Sequence, residues 1–267
     1  MSTRHKKSWA FSLGFMALVL FVVDGYAASN SSRPDDTPEA KLQQMFIQAG
    51  KAYDEGAPAE AVRQYSQFLD EGYLSKEILF NLANAHFKAG ASGAAMLNYR
   101  RAWYLAPRDP DILANLRFVS QAAGIPLPTN SFSRALLMRF SLSEWIVFSV
   151  VVYWSGTLIL AVFLLLKRAK SSVLHRAGLL SAVLLVIGFL GIATWAGYFR
   201  NPELVIQQSG QEALFAPLDG STAHFKLPEG SIVRAEEYSG GWIKIRQGKE
   251  SGWIKQSACK AVYPWKS

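Results

Sequence analysis

The spacing of hydrophobic and polar positions changes character four times along the chain. An apolar stretch from Trp9 to Val23 follows Arg4, Lys6 and Lys7, and residues 28–40 are then polar and Pro-rich. From Leu42 to about Gly124 the apolar positions recur at helical spacing. Two runs of about 22 residues, Trp145–Leu166 and Ala177–Tyr198, contain no Asp, Glu, Lys, Arg or His, and each is long enough to cross a hydrocarbon core of roughly 30 Å. Beyond residue 203 short β-rich runs alternate with turn residues.

The first segment predicts a secretory signal over residues 1–27, with Gly25 and Ala27 suited to cleavage before Ala28. The alternative is an uncleaved anchor helix; in both cases the following chain is exported. Residues 28–40 predict a flexible linker.

Between residues 41 and 124 the chain repeats itself. A shift of 34 residues pairs Phe46 with Phe80, Ala49 with Ala83, Tyr53 with Phe87, Gly56 with Gly90, Ala61 with Ala95 and Tyr65 with Tyr99. This resembles the tetratricopeptide repeat, a helix–turn–helix unit of that length. Small alanines let paired helices approach and aromatics fill the space between them, while each Gly sits at a turn. Ala106-Pro107 closes the second unit, because proline ends a helix. Tyr73 stands where the first unit would have its closing proline. Leu113 and Leu116 open a third first-helix that serves as a cap.

Residues 125–144 predict a stiff Ile-Pro-Leu-Pro connection and then an amphipathic segment, Ser133–Glu144, along a membrane surface. The two long runs predict a transmembrane hairpin, 145–166 and 177–198, joined by a basic loop over 167–176. Basic short loops stay cytoplasmic, so both outer ends of the hairpin are expected outside. Trp145, Trp195, Tyr198 and Phe199 suit an interfacial aromatic belt, and Gly188, Gly191, Ser155 and Gly156 suit close contact between helices. Spans without ionisable residues argue against an ion path.

Net charge changes the picture only by its location. Seven of the 28 Lys and Arg flank the apolar runs, and setting them aside leaves 21 against 20 Asp and Glu. The basicity is topological, which removes the main support for a nucleic-acid partner. Cys259 is the sole cysteine and the four histidines are scattered, so neither an internal disulfide nor a metal site is expected.

In the last 60 or so residues, strands are expected at Leu204–Gln207, Ala213–Ala216, Ser231–Tyr238, Trp242–Gln247 and Gly252–Lys255. The segment Leu227-Pro228-Glu229-Gly230 … Gly240-Gly241-Trp242-Ile243-Lys244-Ile245 … Gly252-Trp253-Ile254 resembles a bacterial SH3-type domain, which implies a five-stranded barrel over 203–263. Trp242 and Trp253 are expected in its core, and Cys259 is expected to pack as a small hydrophobe. The fold class expected is thus a multidomain membrane protein: all-α tetratricopeptide helical hairpins, a transmembrane α-hairpin and an all-β SH3-like barrel.

The order of these parts, with the stretch Leu79-Phe80-Asn81-Leu82-Ala83-Asn84-Ala85-His86-Phe87 … Ala106-Pro107-Arg108-Asp109-Pro110-Asp111 … Ala114-Asn115-Leu116-Arg117-Phe118, resembles the BatE proteins of the Bacteroides aerotolerance operon family. That resemblance implies a scaffold beside membrane proteins with von Willebrand factor A domains, linked to a MoxR-type ATPase. No Gly-rich phosphate loop, ligand cluster or Gly-x-Ser-x-Gly elbow is present, so no enzyme and no cofactor are expected.

Two surfaces carry candidate chemistry. The tetratricopeptide resemblance places Phe46, Gly50, Tyr53, Phe80, Asn84, Phe87 and Lys88, with Asn81 and Asn115 beside them, on the inner groove. Asn84 and Asn115 match the pair that grips a peptide backbone in peptide-binding members, since an amide both donates and accepts. Phe80 stands where carboxylate-gripping members have Lys. The alternative is that Asn81 and Asn115 satisfy backbone groups between packed helices. On the barrel, Tyr238 and Trp265 are the expected ligand surface, and the SH3-type resemblance implies peptidoglycan as its partner. Wall tether and envelope sensor remain alternatives to the scaffold.

Overall fold

The computed structural model describes residues 37–128, 132–166 and 171–263. The signal, most of the linker, the first four residues of the basic loop and Trp265 lie outside them. Eight helices and an antiparallel seven-stranded sheet are formed among the described residues. Two compact units divide the chain, Met1–Gln48 and Ala49–Ser267.

Helix α1 (Pro38–Asp54) opens on Thr37, whose hydroxyl accepts from Ala40 N at 3.1 Å. Helices α2 (Pro58–Asp70), α3 (Lys76–Lys88), α4 (Ser92–Leu105) and α5 (Pro110–Ala122) follow. Starts recur at the predicted offset of 34, Pro58 to Ser92 and Lys76 to Pro110. So does burial: Ala49, Ala61, Ala83 and Ala95 are all inaccessible, and Tyr65 and Tyr99 are equally buried. Side-chain caps recur as well. Ser75 Oγ accepts from Ile78 N, and 34 residues on Asp109 Oδ1 accepts from Asp111 N and Ile112 N.

The missing proline at Tyr73 has a physical substitute. Gly72 takes φ +84°, and Tyr73 N reaches back to Phe68 O at 2.7 Å, closing α2 with a glycine C-cap. The same device follows α1 at Gly56, α3 at Gly90 and α5 at Gly124.

Within the segment Ser133–Glu144 a six-residue α6 (Phe132–Leu137) ends and α7 (Leu142–Leu166) starts afresh. Ser141 and Glu144 form a reciprocal capping box, Glu144 N to Ser141 Oγ at 3.3 Å and Ser141 N to Glu144 Oε2 at 2.8 Å. The second long helix, α8 (Ser171–Arg200), begins six residues before the apolar run. Apolarity marks what lipid tolerates, whereas helix hydrogen bonding runs on through His175 and Arg176. Both α7 and α8 are long and apolar enough to cross a membrane.

Helices α7 and α8 pack through small residues. A Cβ at Gly191 would overlap the Trp145 indole, one at Gly188 would overlap Ser149, and one at Gly156 would press on Ser181 Oγ at 3.0 Å. Ser155, expected at this contact, is exposed instead. Gly191→Val is expected to cost about 1–3 kcal/mol by overpacking, read as weakened hairpin association in a thermal scan in detergent. An unchanged scan would refute the contact.

The sheet comprises β1 (Glu203–Ile206), β2 (Gln211–Leu214), β3 (Ala223–Leu227), β4 (Ile232–Ser239), β5 (Trp242–Gln247), β6 (Glu250–Lys255) and β7 (Cys259–Ala261), in the order β3-β2-β6-β5-β4-β1-β7. The five expected strands are therefore seven, with β3 and β7 added. Register shifts at Ala213/Leu214 and Ala235/Glu237 mark bulges that bend such a sheet. Ile243, Ile245, Ile254 and Val233 fill its interior. Trp242 and Trp253 do not. Alternation on β5 and β6 puts the isoleucines inward, and both tryptophans are half-buried on the other face, with Lys255 Nζ 5.5 Å from the Trp242 ring centre.

Candidate functional site

The repeat face predicted as a groove is assembled from α1, α3 and α5. Asn115 Nδ2 donates to Asn84 Oδ1 at 3.2 Å, and the hydroxyl of Tyr99 donates to the same oxygen. Phe80 meets Tyr99 edge-on at 5.8 Å, and Phe87 meets Phe118 edge-on at 5.5 Å. Lys88 Nζ lies 4.3 Å from the Tyr53 ring centre and donates to Tyr53 O at 2.7 Å. The structure thus brings Tyr53, Phe80, Asn84, Phe87, Lys88 and Asn115 together, and adds Tyr99 and Phe118. Asn81 is drawn away to hydrogen-bond Tyr65. Phe46 belongs to the other compact unit.

Asn84 and Asn115 hold each other rather than standing apart. Two amides paired through one oxygen keep the Asn84 NH2 group and the Asn115 carbonyl for other use. Tyr99 is held well above its ordinary pKa by burial, so its hydroxyl stays a donor to Asn84. The face offers an amide pair flanked by Phe87, the exposed ring of Phe118 and the Lys88 charge.

The opposite side of the repeat is covered. Around α4 burial is nearly continuous, from Gly93 through Tyr104, including Asn98 and Arg100. Arg100 Nη2 donates to Glu203 Oε2 at 2.5 Å, and Arg234 lies 3.7 Å from the other oxygen of Glu203. Ala91 gives α4 no side-chain cap. The carboxylate of Glu229 supplies one from the β3–β4 turn, accepting from Gly93 N at 2.7 Å. There a negative group meets the positive end of a helix. Gly93 and Gly230 permit this approach, since a Cβ at Gly93 would lie 2.7 Å from Ile206 O and one at Gly230 would lie 2.6 Å from Ile125. Val205, Ile232 and Val262 join the same apolar core as Leu79 and Met96.

The outer end of the hairpin enters this junction. Trp103, Tyr104 and Trp195 form an aromatic cluster, with Tyr104 and Trp195 at 5.3 Å and Tyr104 stacked on Tyr263 at 6.4 Å. Trp195 Nε1 donates to Phe140 O and Trp145 Nε1 donates to Leu137 O. Trp145 and Trp195, expected as lipid-facing anchors, are buried protein contacts. An indole N–H finds its partner in either setting, which is why composition did not separate them.

On the sheet Tyr238 is exposed, near the end of β4. A larger patch lies elsewhere. Phe215 and His224 stack at 4.2 Å, His224 meets Phe225 at 5.2 Å, and Phe215 and Leu218 are 61% and 56% exposed. The pairing of β2 with β3, which the sequence pattern does not reveal, brings this patch together. Cys259 is buried at the start of β7, opposite Ile206 of β1, and its thiol is pushed up to about 11 by burial. The thiolate is the reactive form, so alkylation at pH 8 is expected only after unfolding, as mass spectrometry with and without denaturant would reveal. Rapid native labelling would contradict the burial.

No family model matches the chain, and no curated protein or solved structure matches it significantly.

Proposed function

We propose that this chain is a non-enzymatic inner-membrane scaffold that presents tetratricopeptide-type repeats and an SH3-type barrel outside the cytoplasm for protein–protein assembly. The observation that carries the reading is the asymmetry of the repeat. One side is fastened to the barrel and hairpin through Arg100, Glu203, Glu229 and Trp195. The other side leaves the Asn84–Asn115 pair, Phe87, Phe118 and Lys88 for a partner. A helical stack whose one face is clamped to a rigid mount and whose other face is polar and aromatic suits holding a peptide.

The BatE resemblance supplies the proposed partners: membrane proteins with von Willebrand factor A domains, with a MoxR-type ATPase in the same system. Lipid is the second partner, through α7, α8 and the exposed Phe132, Leu136 and Phe140 around α6. Packing of the barrel on the repeat supports both ends of the hairpin lying on one side of the bilayer, and the basic loop between them supports that side being the outside.

Co-purification from gently solubilised membranes tests the scaffold. Stoichiometric recovery of von Willebrand-type membrane proteins is expected, and isolation alone would undercut it. The Asn84→Ala/Phe87→Ala chain is expected to lose at least tenfold in recovery, since each good contact is worth about 1 kcal/mol or more. Unchanged recovery would retire the groove.

One observation favours a second reading. The exposed Phe215–His224 stack with Leu218 suits a cell-wall tether. Retention of the full chain on purified peptidoglycan, abolished by Phe215→Ala/His224→Ala, would favour it.

A further inference from the structure

A cavity of about 870 Å³ lies on the side of the repeat away from Asn84, between α2, α3, α4 and the edge strand β7. One wall is leucine: Leu79, Leu82 and Leu97 at depth, with Leu74 and Tyr73 exposed at the rim. The other wall carries Arg101, Lys260 and His86, with Asn98 and Gln207. Asp70 is the sole carboxylate lining it.

Arg101 is the unusual member. Its Nη2 donates to Ala261 O at 3.0 Å, its Nε is buried without a hydrogen bond, and no carboxylate among the described residues pairs with it. Burial lowers its pKa. A guanidinium taken from water without a counter-charge is costly unless an anion reaches it. On the same wall burial, and then the neighbouring Lys260, lower the pKa of His86. Asn98, 4% exposed, has an Oδ1 with no hydrogen-bond partner beside the same wall. The sheet therefore borders a leucine-walled recess in which Arg101 and Lys260 outnumber the one exposed carboxylate, Asp70, and Arg101 is paired with no acid among the described residues.

We propose that this recess docks an acidic segment of a partner protein, with a carboxylate between Arg101 and Lys260 and a leucine-sized side chain against Leu74 and Leu97. Charge complementarity selects the occupant, and Arg suits it because its planar fork grips carboxylates in two places. The volume matches that of ligand clefts, and the exposed Tyr73 and Leu74 add apolar surface at its rim. This surface is separate from the Asn84 face, so the two stand or fall independently.

The test uses the full chain in detergent or nanodiscs with a fluorescent, N-acetylated, C-amidated hexapeptide of alternating Leu and Glu. Its counterpart with Gln in place of Glu serves as control. Saturable binding at least tenfold tighter for the Glu peptide is expected. Lys260→Glu, at an exposed site that leaves the core intact, is expected to weaken it by tenfold or more, and Arg101→Gln by more. Asn84→Ala/Phe87→Ala should leave it unchanged. The His86 ring is expected to titrate at higher pH with the peptide bound, because the carboxylate offsets Lys260. Equal binding of the two peptides, indifference to Lys260→Glu, or occupation by dodecanoate without peptide binding would each overturn the proposal.

Discussion

Glu203→Ala is expected to destabilise the chain by about 3–5 kcal/mol, because removing one partner of a buried ion pair leaves the other charge uncompensated. Glu203 is 1% exposed and sits between Arg100 and Arg234. Arg234 is partly exposed and can turn to water, whereas Arg100 is held over the Trp103 ring at 4.4 Å and cannot. The loss should thus be carried mainly by Arg100. Pairing Glu203→Leu with Arg100→Met is expected to restore most of the stability, since an apolar replacement of a buried pair is often neutral. Denaturant unfolding in detergent measures both. A Glu203→Ala chain within 1 kcal/mol of the parent would show that the junction is not held this way.

Trp195→Ala is the second large effect, expected at about 3–5 kcal/mol for an aromatic truncated in a packed core. The ring touches Trp103 and Tyr104 and donates to Phe140 O at 3.0 Å. Its loss opens a cavity where the helical repeat, the hairpin and the sheet region meet, so the transition should lose cooperativity as well as midpoint. A simple interfacial anchor would behave differently. Trp195→Phe would then be tolerated and Trp195→Ala would alter only membrane depth, leaving the soluble core's unfolding unchanged.

A smaller effect concerns acid. Lys76, then the amides of Ile112 and Asp111, hold the Asp109 carboxyl below its ordinary pKa. A depressed carboxyl contributes stability above its unfolded pKa and loses it as pH falls through the folded one. Asp109→Asn should therefore flatten the acid limb of a stability–pH curve below about pH 4, leaving stability at pH 7 lower. A curve parallel to the parent's would contradict the cap.

The helical part was legible because its determinants are local. Ala49/Ala83 and Gly56/Gly90 report burial and turn chemistry at a fixed offset, and both recur in space. The hairpin's existence was legible from apolar length, but its start at Ser171 was not, because lipid contact and helix bounds are different constraints. Strands β3 and β7 escaped because each is short and one is polar: Ala223–Leu227 carries His224 and Lys226, and Cys259–Ala261 spans three residues. Least legible was the junction. Arg100, Glu203 and Glu229 look like solvated surface charges in sequence; Arg100 and Glu203 become interior by pairing across 103 positions, and Glu229 caps Gly93 from 136 positions away. Nor does sequence spacing reveal that Asn115 and Tyr99, on two different helices, both donate to the one oxygen of Asn84.

That junction also bears on topology. Under the proposed function, the sheet after the hairpin and the helical repeat before it lie on one side of the bilayer, which implies an even number of crossings between them. Reporters fused after Asn130, after Ser172 and at Ser267 test this directly. Alkaline phosphatase activity is expected at residues 130 and 267, and cytoplasmic fluorescence at 172. An outside signal at 172, or opposite signals at 130 and 267, would contradict a hairpin that mounts both modules on the outer face.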